Sequence, residues 1–278
     1  MRLVDRQSRS TRRIPYSGHV TPSVSFLGHA TTLIEIDGVR VLTDPVLRPR
    51  VTFLHRVVPP APEDMSNAID VVLISHLHHD HCDLPTLSKL PDAVVVVPYG
   101  AGGYLRTRGG LSNVVELAEG ETVEVRGLLV TAVHADHDGL RPPFGPRAQA
   151  VGYVITGSSG TAYFAGDTDV YPEMATLTMP ESTSLDIALL PVWGWGPNLG
   201  PGHMNPARAV DALELLQPLV AVPIHWGTYF PYGMKAALRG ANQLLVRPPE
   251  QFAELAAERG VATSVVVTEP GHRVQVSP

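Results

Sequence analysis

Four apolar runs of strand length each give way, directly or after one small residue, to histidine or aspartate. Residues 71–74 lead through Ser75 to His76, and residues 128–133 lead into His134-Ala-Asp-His137. Residues 161–165 lead through Gly166 to Asp167, and residues 220–224 lead straight into His225. Rigid strand ends are where a scaffold aims side chains at a site. A fold that gathers these four ends therefore collects imidazoles and carboxylates in one place. The first end is the densest. Four of the twelve histidines fall within His76-Leu-His78-His79-Asp80-His81, with Asp83 just beyond.

The rest of the chain suits such a scaffold. Its 278 residues are enough for a sizeable core, and 44% hydrophobic with 17% charged residues is ordinary globular composition. With 25 glycines and 26 prolines, many short elements joined by turns are favoured over long helices. Strands are expected over residues 24–27, 32–36, 39–43, 71–74, 94–97, 122–125, 128–133, 151–156, 161–165, 187–190, 220–224 and 263–268. Asp37-Gly38 and Arg126-Gly127 read as hairpin turns, and Gly157-Ser-Ser-Gly160 as a third. Helices are expected over residues 85–90, 101–106, 205–216 and 249–259. The third has Asn205 as cap and Pro206 in its first turn. Residues 45–62 read as a long surface loop.

A net charge of -6 argues against a nucleic-acid partner. The basic cluster Arg2, Arg6, Arg9, Arg12 and Arg13 lies in a terminal arm, residues 1–20, that reads as flexible. The single cysteine, Cys82, precludes an internal disulfide and points to a reducing, cytoplasmic setting. Neither a secretory signal nor a transmembrane segment is evident in the sequence. A homo-oligomer is compatible with the sequence.

Imidazole and carboxylate are ligands for zinc and related divalent ions. His76 and His78, two apart, can grip one ion from an extended or turning segment, and Asp80 and His81 a second. One short segment cannot complete two sites, so His134 or His137, Asp167 and His225 are the candidates to finish them. A carboxylate such as Asp167 has two oxygens and can bridge.

Together these motifs resemble the metallo-β-lactamase superfamily. They are Phe26-Leu-Gly-His29-Ala-Thr, Leu42-Thr-Asp44-Pro45, Ile74-Ser-His76, Phe164-Ala-Gly-Asp167-Thr, Gly202-His203-Met-Asn-Pro206 and Ile224-His225-Trp-Gly-Thr228. The branch they resemble includes N-acyl-phosphatidylethanolamine phospholipase D-like enzymes and ascorbate-6-phosphate lactonases, and the match runs from about Val24 to about Phe230. The resemblance implies an α/β (α+β) fold, a four-layer αββα sandwich, with residues 21–278 as one hydrolase domain. It implies His76, His78 and His137 on one ion, with His134 as the competitor for the third place. It implies Asp80, His81 and His225 on the other ion, and Asp167 bridging. His29 and Asp44 match positions that orient ligands. His79 falls at a variable position and is expected to face away. His203 matches a rim histidine suited to a substrate oxyanion or leaving group. Trp193, Trp195 and Trp226 are candidates for an apolar lip, and Cys82 for a buried thiol.

Two ions about 3.5–4 Å apart would turn a shared water into hydroxide near neutral pH, with Asp80 taking or orienting its proton. The reading is a dinuclear hydrolase, zinc first with manganese or iron as alternatives, acting on a small-molecule or lipid-like phosphodiester or a related phosphorylated or acyl compound. A lactonase or other carboxylic ester hydrolase is the alternative. A non-catalytic metal-binding module comes last, because a catalytic site needs an open position and nothing here suggests closure.

Overall fold

The computed structural model describes residues 21–177, 184–193 and 200–276. The basic arm and Trp195 lie outside these residues. One seven-stranded sheet has the spatial order Arg273–Gln275, Ser23–Gly28, Thr31–Ile36, Val39–Thr43, Val71–Leu73, Val94–Pro98, Val114–Leu117. The second has the order Ser264–Val265, Val220–Ile224, Ile187–Pro191, Thr161–Phe164, Val151–Thr156, Leu128–His134, Thr122–Val125.

The two-residue period of the strands builds the layers. Val71 and Leu73 face inward and pack, with Phe26, Ile34 and Val96, against Tyr153, Phe164, Leu189 and Ile224 of the second sheet. Val72 and Ile74 point the other way, into a cluster with Leu87 and Leu105 beside the helices Leu84–Leu87 and Gly102–Gly109. On the far side, Tyr163, Ala188 and Leu190 meet Val210 and Leu213 of the helix Pro206–Leu216 and Phe252 of the helix Ala241–Glu258. The result is the four-layer αββα sandwich. Each large apolar side chain buried in these interfaces contributes about 1.5–3 kcal/mol.

Local chemistry sets several boundaries. Asp37 and Gly38 both take positive φ, 53° and 76°, as a two-residue hairpin of the primed type requires. The Asn205 side chain accepts from the Arg208 N–H and caps the helix Pro206–Leu216.

Three expectations need correction. The last helix begins at Ala241 rather than at residue 249, because Pro248 and Pro249 sit inside it and buried rather than in its first turn. Residues 45–62 are not all loop. Arg50–Val51 and Leu54–Arg56 pair with each other, and Leu54–Arg56 also pairs with Tyr229–Pro231 to make a small third sheet. The strands Val114–Leu117 and Arg273–Gln275 were not anticipated. No helix among the described residues is long and apolar enough to cross a membrane.

Candidate metal centre

Strand direction brings the site together. Val39–Thr43 and Val71–Leu73 run parallel, and so do Thr161–Phe164, Ile187–Pro191 and Val220–Ile224. Two antiparallel steps separate Ser23–Gly28 from Val39–Thr43, and two separate Leu128–His134 from Thr161–Phe164. Those strands therefore point the same way as well. Their C-terminal ends deliver His29, Asp44, His76, His137, Asp167 and His225. His29, Asp44 and His225 each follow their strand with positive φ, at 57°, 32° and 63°. The left-handed conformation costs a non-glycine residue about 1–2 kcal/mol, and here it turns three side chains toward one cluster. Gly166 has φ 62°, and a Cβ there would lie 2.5 Å from Ser75 Cβ, so the chain can reach Asp167 only through glycine.

Among the described residues two groups share no member, His76, His78 and His137 in one and Asp80, His81 and His225, with His29, in the other. Two further groups overlap them, Asp44 with His76 and His81, and Asp167 with His137 and His203. His137 Nε2 lies 3.3 Å from His78 Nδ1, and His81 Nε2 lies 3.3 Å from His225 Nε2. Asp167 Oδ2 is 3.2 Å from both His81 Nε2 and His225 Nε2.

Hydrogen bonds on the outer sides of the rings set their tautomers. His81 Nδ1 donates to Asp44 Oδ2 at 2.7 Å, His225 Nδ1 to the Trp193 carbonyl at 2.5 Å, and His137 Nδ1 to the Gly202 carbonyl at 2.9 Å. Ser75 Oγ donates to Asp44 Oδ2 at 2.5 Å and accepts from His76 Nδ1 at 2.9 Å. Four rings thus have Nδ1–H occupied and present the Nε2 lone pair to the cluster, as metal-ligating histidines do. His29 Nε2 donates to Asp80 Oδ2 at 3.0 Å, while Thr228 Oγ1 accepts from the His29 N–H at 2.7 Å.

The electrostatics test whether these donors suit a cation. His76 Nε2 and Asp167 Oδ1 are buried with no hydrogen-bond partner. Such orphaned groups cost about 1–3 kcal/mol each or more, and a divalent ion among these donors would satisfy both. Burial, reinforced by neighbouring imidazoles, holds His76 well below the usual imidazole range. Burial pushes His137 down to about 4 against the pull of Asp167. His81 and His225 go the other way: burial lowers them, but the nearby carboxylates, chiefly Asp167, outweigh it. Asp167 and Asp80 are held well below the carboxylate range because facing imidazoles overcome a large burial penalty. The donor set fits a divalent cation.

The remaining candidates fall around this centre. His203 stands at the rim, with Nε2 3.7 Å from Asp167 Oδ2 and its ring edge-on to His137. His134 is not in either group; it pairs with Glu119 and packs on Tyr171. His79 is also outside the groups. Its Nδ1 accepts from Arg141, and its Nε2 donates to the Pro142 carbonyl. Asp83 caps the helix Leu84–Leu87 and accepts from Arg48. Cys82 is buried, which pushes its thiol up to about 12. Trp226 is core rather than lip, stacked on Phe26, whereas Trp193 stacks on Phe230 and reaches a cavity beside His203.

Sequence reading missed Ser75, the Trp193 and Gly202 carbonyls, Thr228, and Arg141. The last is a buried guanidinium that donates to the Leu77 and Cys82 carbonyls and ties down the histidine loop. Ser75, directly preceding His76, had a signal in its position. The carbonyls had none.

The family profile of the beta-lactamase superfamily domain matches residues 39–226. A protein of Methanopyrus kandleri named as a metal-dependent hydrolase is 34% identical over 254 residues, spanning 89% of this chain and 97% of the relative. A Caenorhabditis elegans protein named as an N-acyl-phosphatidylethanolamine-hydrolyzing phospholipase D is 27% identical over 271 residues, spanning 89% of this chain and 74% of the relative. Among solved structures, a metallo hydrolase from Ignicoccus hospitalis superposes with a TM-score of 0.70 at 23% identity, covering 92% of this chain and 98% of that one. That last likeness is one of fold.

Proposed function

We propose, since the chain belongs to the metallo-β-lactamase superfamily and is a metal-dependent hydrolase, that it uses two divalent ions, zinc first, to hydrolyse a phosphodiester. The observation that carries the two-ion reading is that Asp167 lies 3.2 Å from His81 and His225 and also groups with His137 and His203, with His76 Nε2 and Asp167 Oδ1 buried and unpartnered. His76, His78 and His137 would hold one ion, and Asp80, His81 and His225 the other, with Asp167 between them. When bound, such ions supply Lewis acidity and make water acidic enough to attack at neutral pH.

The chain's own residues do the rest. Asp44, Ser75 and the Trp193 and Gly202 carbonyls fix the tautomers, so each ring offers a lone pair without rearranging. His29 fixes Asp80, which orients the attacking water and takes up its proton. His203, reachable from the rim, donates to the substrate oxyanion or the leaving group. The phospholipase D name of the Caenorhabditis elegans relative supports a phosphodiester over a carboxylic ester.

A panel of bis-aryl phosphodiesters, phosphomonoesters and lactones, assayed with zinc, manganese or iron added to metal-stripped protein, tests the reading. The expected result is zinc-restored hydrolysis with phosphodiesters turned over fastest. Faster turnover of the lactones would move the assignment to ester chemistry.

A further inference from the structure

Beside the metal centre lies a cavity of which the hydrolytic reading uses only the rim histidine, His203. Its volume is about 850 Å³, and its lining includes His203, Asp169, Arg208, Gln243, Arg247 and Gln251. It therefore begins at the rim histidine and extends between the start of the helix Pro206–Leu216 and the helix Ala241–Glu258. The described lining residues include two arginines and one carboxylate, Asp169, while Asp211, Glu250 and Glu254 pair with those arginines from outside the lining.

Both guanidiniums are braced. Arg208 Nε donates to Asp169 Oδ1 at 2.8 Å. Arg247 grips Glu254 with both terminal nitrogens, at 2.8 and 2.6 Å, and Glu254 is not among the cavity residues. An arginine has five N–H groups, so a carboxylate that takes one or two leaves donors for a ligand. Bracing also reduces the side-chain entropy lost when an anion binds. Two arginines with two glutamine amides suit a group offering many acceptor oxygens around a tetrahedral centre.

We propose that this cavity is a second substrate subsite, and that it receives a phosphate group carried by the substrate away from the bond that is cut. The assignment rests on the hydrolase reading. It deepens that reading by naming the substrate class as a phosphodiester bearing a further phosphate.

Two para-nitrophenyl phosphodiesters test it, one ending in ethyl and the other in phosphoethyl. In the wild type, KM for the phosphorylated substrate is expected to be about tenfold lower, the scale of one charge-assisted hydrogen bond. In the double variant Arg208→Gln/Arg247→Gln that preference disappears, and Arg247→Gln alone, on an exposed helix face, reduces it. A ratio of the two KM values that is the same in the wild type and both variants overturns the proposal. Calorimetric titration of metal-loaded protein with inorganic phosphate reads the cavity without turnover. The wild type is expected to show a binding event that the double variant loses or weakens about tenfold, and identical isotherms overturn the subsite. If neither diester is hydrolysed while the isotherms differ, the phosphodiester reading fails and the phosphate-binding cavity stands.

Discussion

Asp44 Oδ2 accepts a hydrogen bond from His81 Nδ1 at 2.7 Å, and neither side chain is exposed to solvent. The same carboxylate takes the Ser75 N–H on its other oxygen and the Ser75 hydroxyl on Oδ2. Asp44 thus links the two histidine groups, reaching His81 directly and His76 through Ser75. Asp44→Ala strands three buried donors. It is expected to destabilise the protein by about 3 kcal/mol or more and to weaken metal binding by about 10–100-fold. Chelator competition together with urea unfolding measures both. Metal affinity equal to the wild type would show that the His81 ring is held without Asp44.

Asp167 is the side chain shared between the groups, so its loss should be felt at both. Asp167→Ala is expected to lower affinity for both ions by at least about a hundredfold and to abolish hydrolysis. His76→Ala should strike first the ion held with His78 and His137, since His29, Asp80, His81 and His225 form a group without it. Elemental analysis of purified variants distinguishes the two patterns. Wild-type hydrolysis by metal-replete Asp167→Ala protein would sink the site model.

Much of this centre could be read in the chain because its side chains stand where apolar runs stop. His76 to His81, Asp167 and His225 all follow strands whose hydrophobicity marks them. His137 was harder. It shares a segment with His134, and spacing alone does not choose between them. The strand continues through His134, whose side chain meets Glu119, and the turn at Ala135 and Asp136 carries His137 across to His78. What stayed hidden is backbone and packing. Every residue has a carbonyl, so nothing in the sequence marks those of Trp193 and Gly202 as the acceptors that orient two rings. The two- and three-residue strands of the small sheet are too short to show alternation, and their partner lies far along the chain. Pro248 and Pro249 look like a helix start because proline is rare in helix interiors, yet both lie within one.

The histidines impose a pH dependence on the metal-free protein. His29 and His137 are lowered to about 4, both chiefly by burial, from an unfolded value near 6.5. Between those values the unfolded chain binds protons that the folded chain refuses. Stability therefore falls on acidification from pH 6.5 toward 4, by about 1.4 kcal/mol per pH unit for each group. His81 and His225 are raised, because carboxylates led by Asp167 outweigh burial. Their contribution is complete below 6.5 and is lost as pH rises through their folded values. Without metal, Tm is expected to peak near pH 6.5. Ions bind deprotonated imidazoles, so metal should abolish the alkaline decline. Scanning Tm against pH with chelator and with zinc checks this; a metal-free Tm that keeps climbing above neutrality contradicts it.

Gly166→Ala probes how the backbone delivers Asp167. The added methyl would require a left-handed alanine and would meet Ser75 Cβ at 2.5 Å. A loss of about 1–3 kcal/mol is expected from strain and overpacking. Because Ser75 also accepts from His76, metal affinity should fall along with stability. Denaturant midpoints and metal content, measured on the same samples, test the coupling. A variant that is destabilised yet binds metal as the wild type does would place the strain away from the ligands.

His203 separates chemistry from metal retention. It is 27% exposed and lies near Asp167, and its Nδ1 is 3.3 Å from the Pro201 carbonyl. A histidine placed at the rim can donate to charge that develops on substrate, an interaction worth about 10²–10³ in kcat when removed from other hydrolytic sites. His203→Ala is therefore expected to keep both ions, keep Tm within about 2 °C since the residue is outside the core, and lose kcat by that factor with little change in KM. His203→Gln, which keeps a donor, should recover part of the rate. If His203→Ala instead sheds an ion, the residue is a ligand, and the rim assignment gives way to a centre with His203 among its donors.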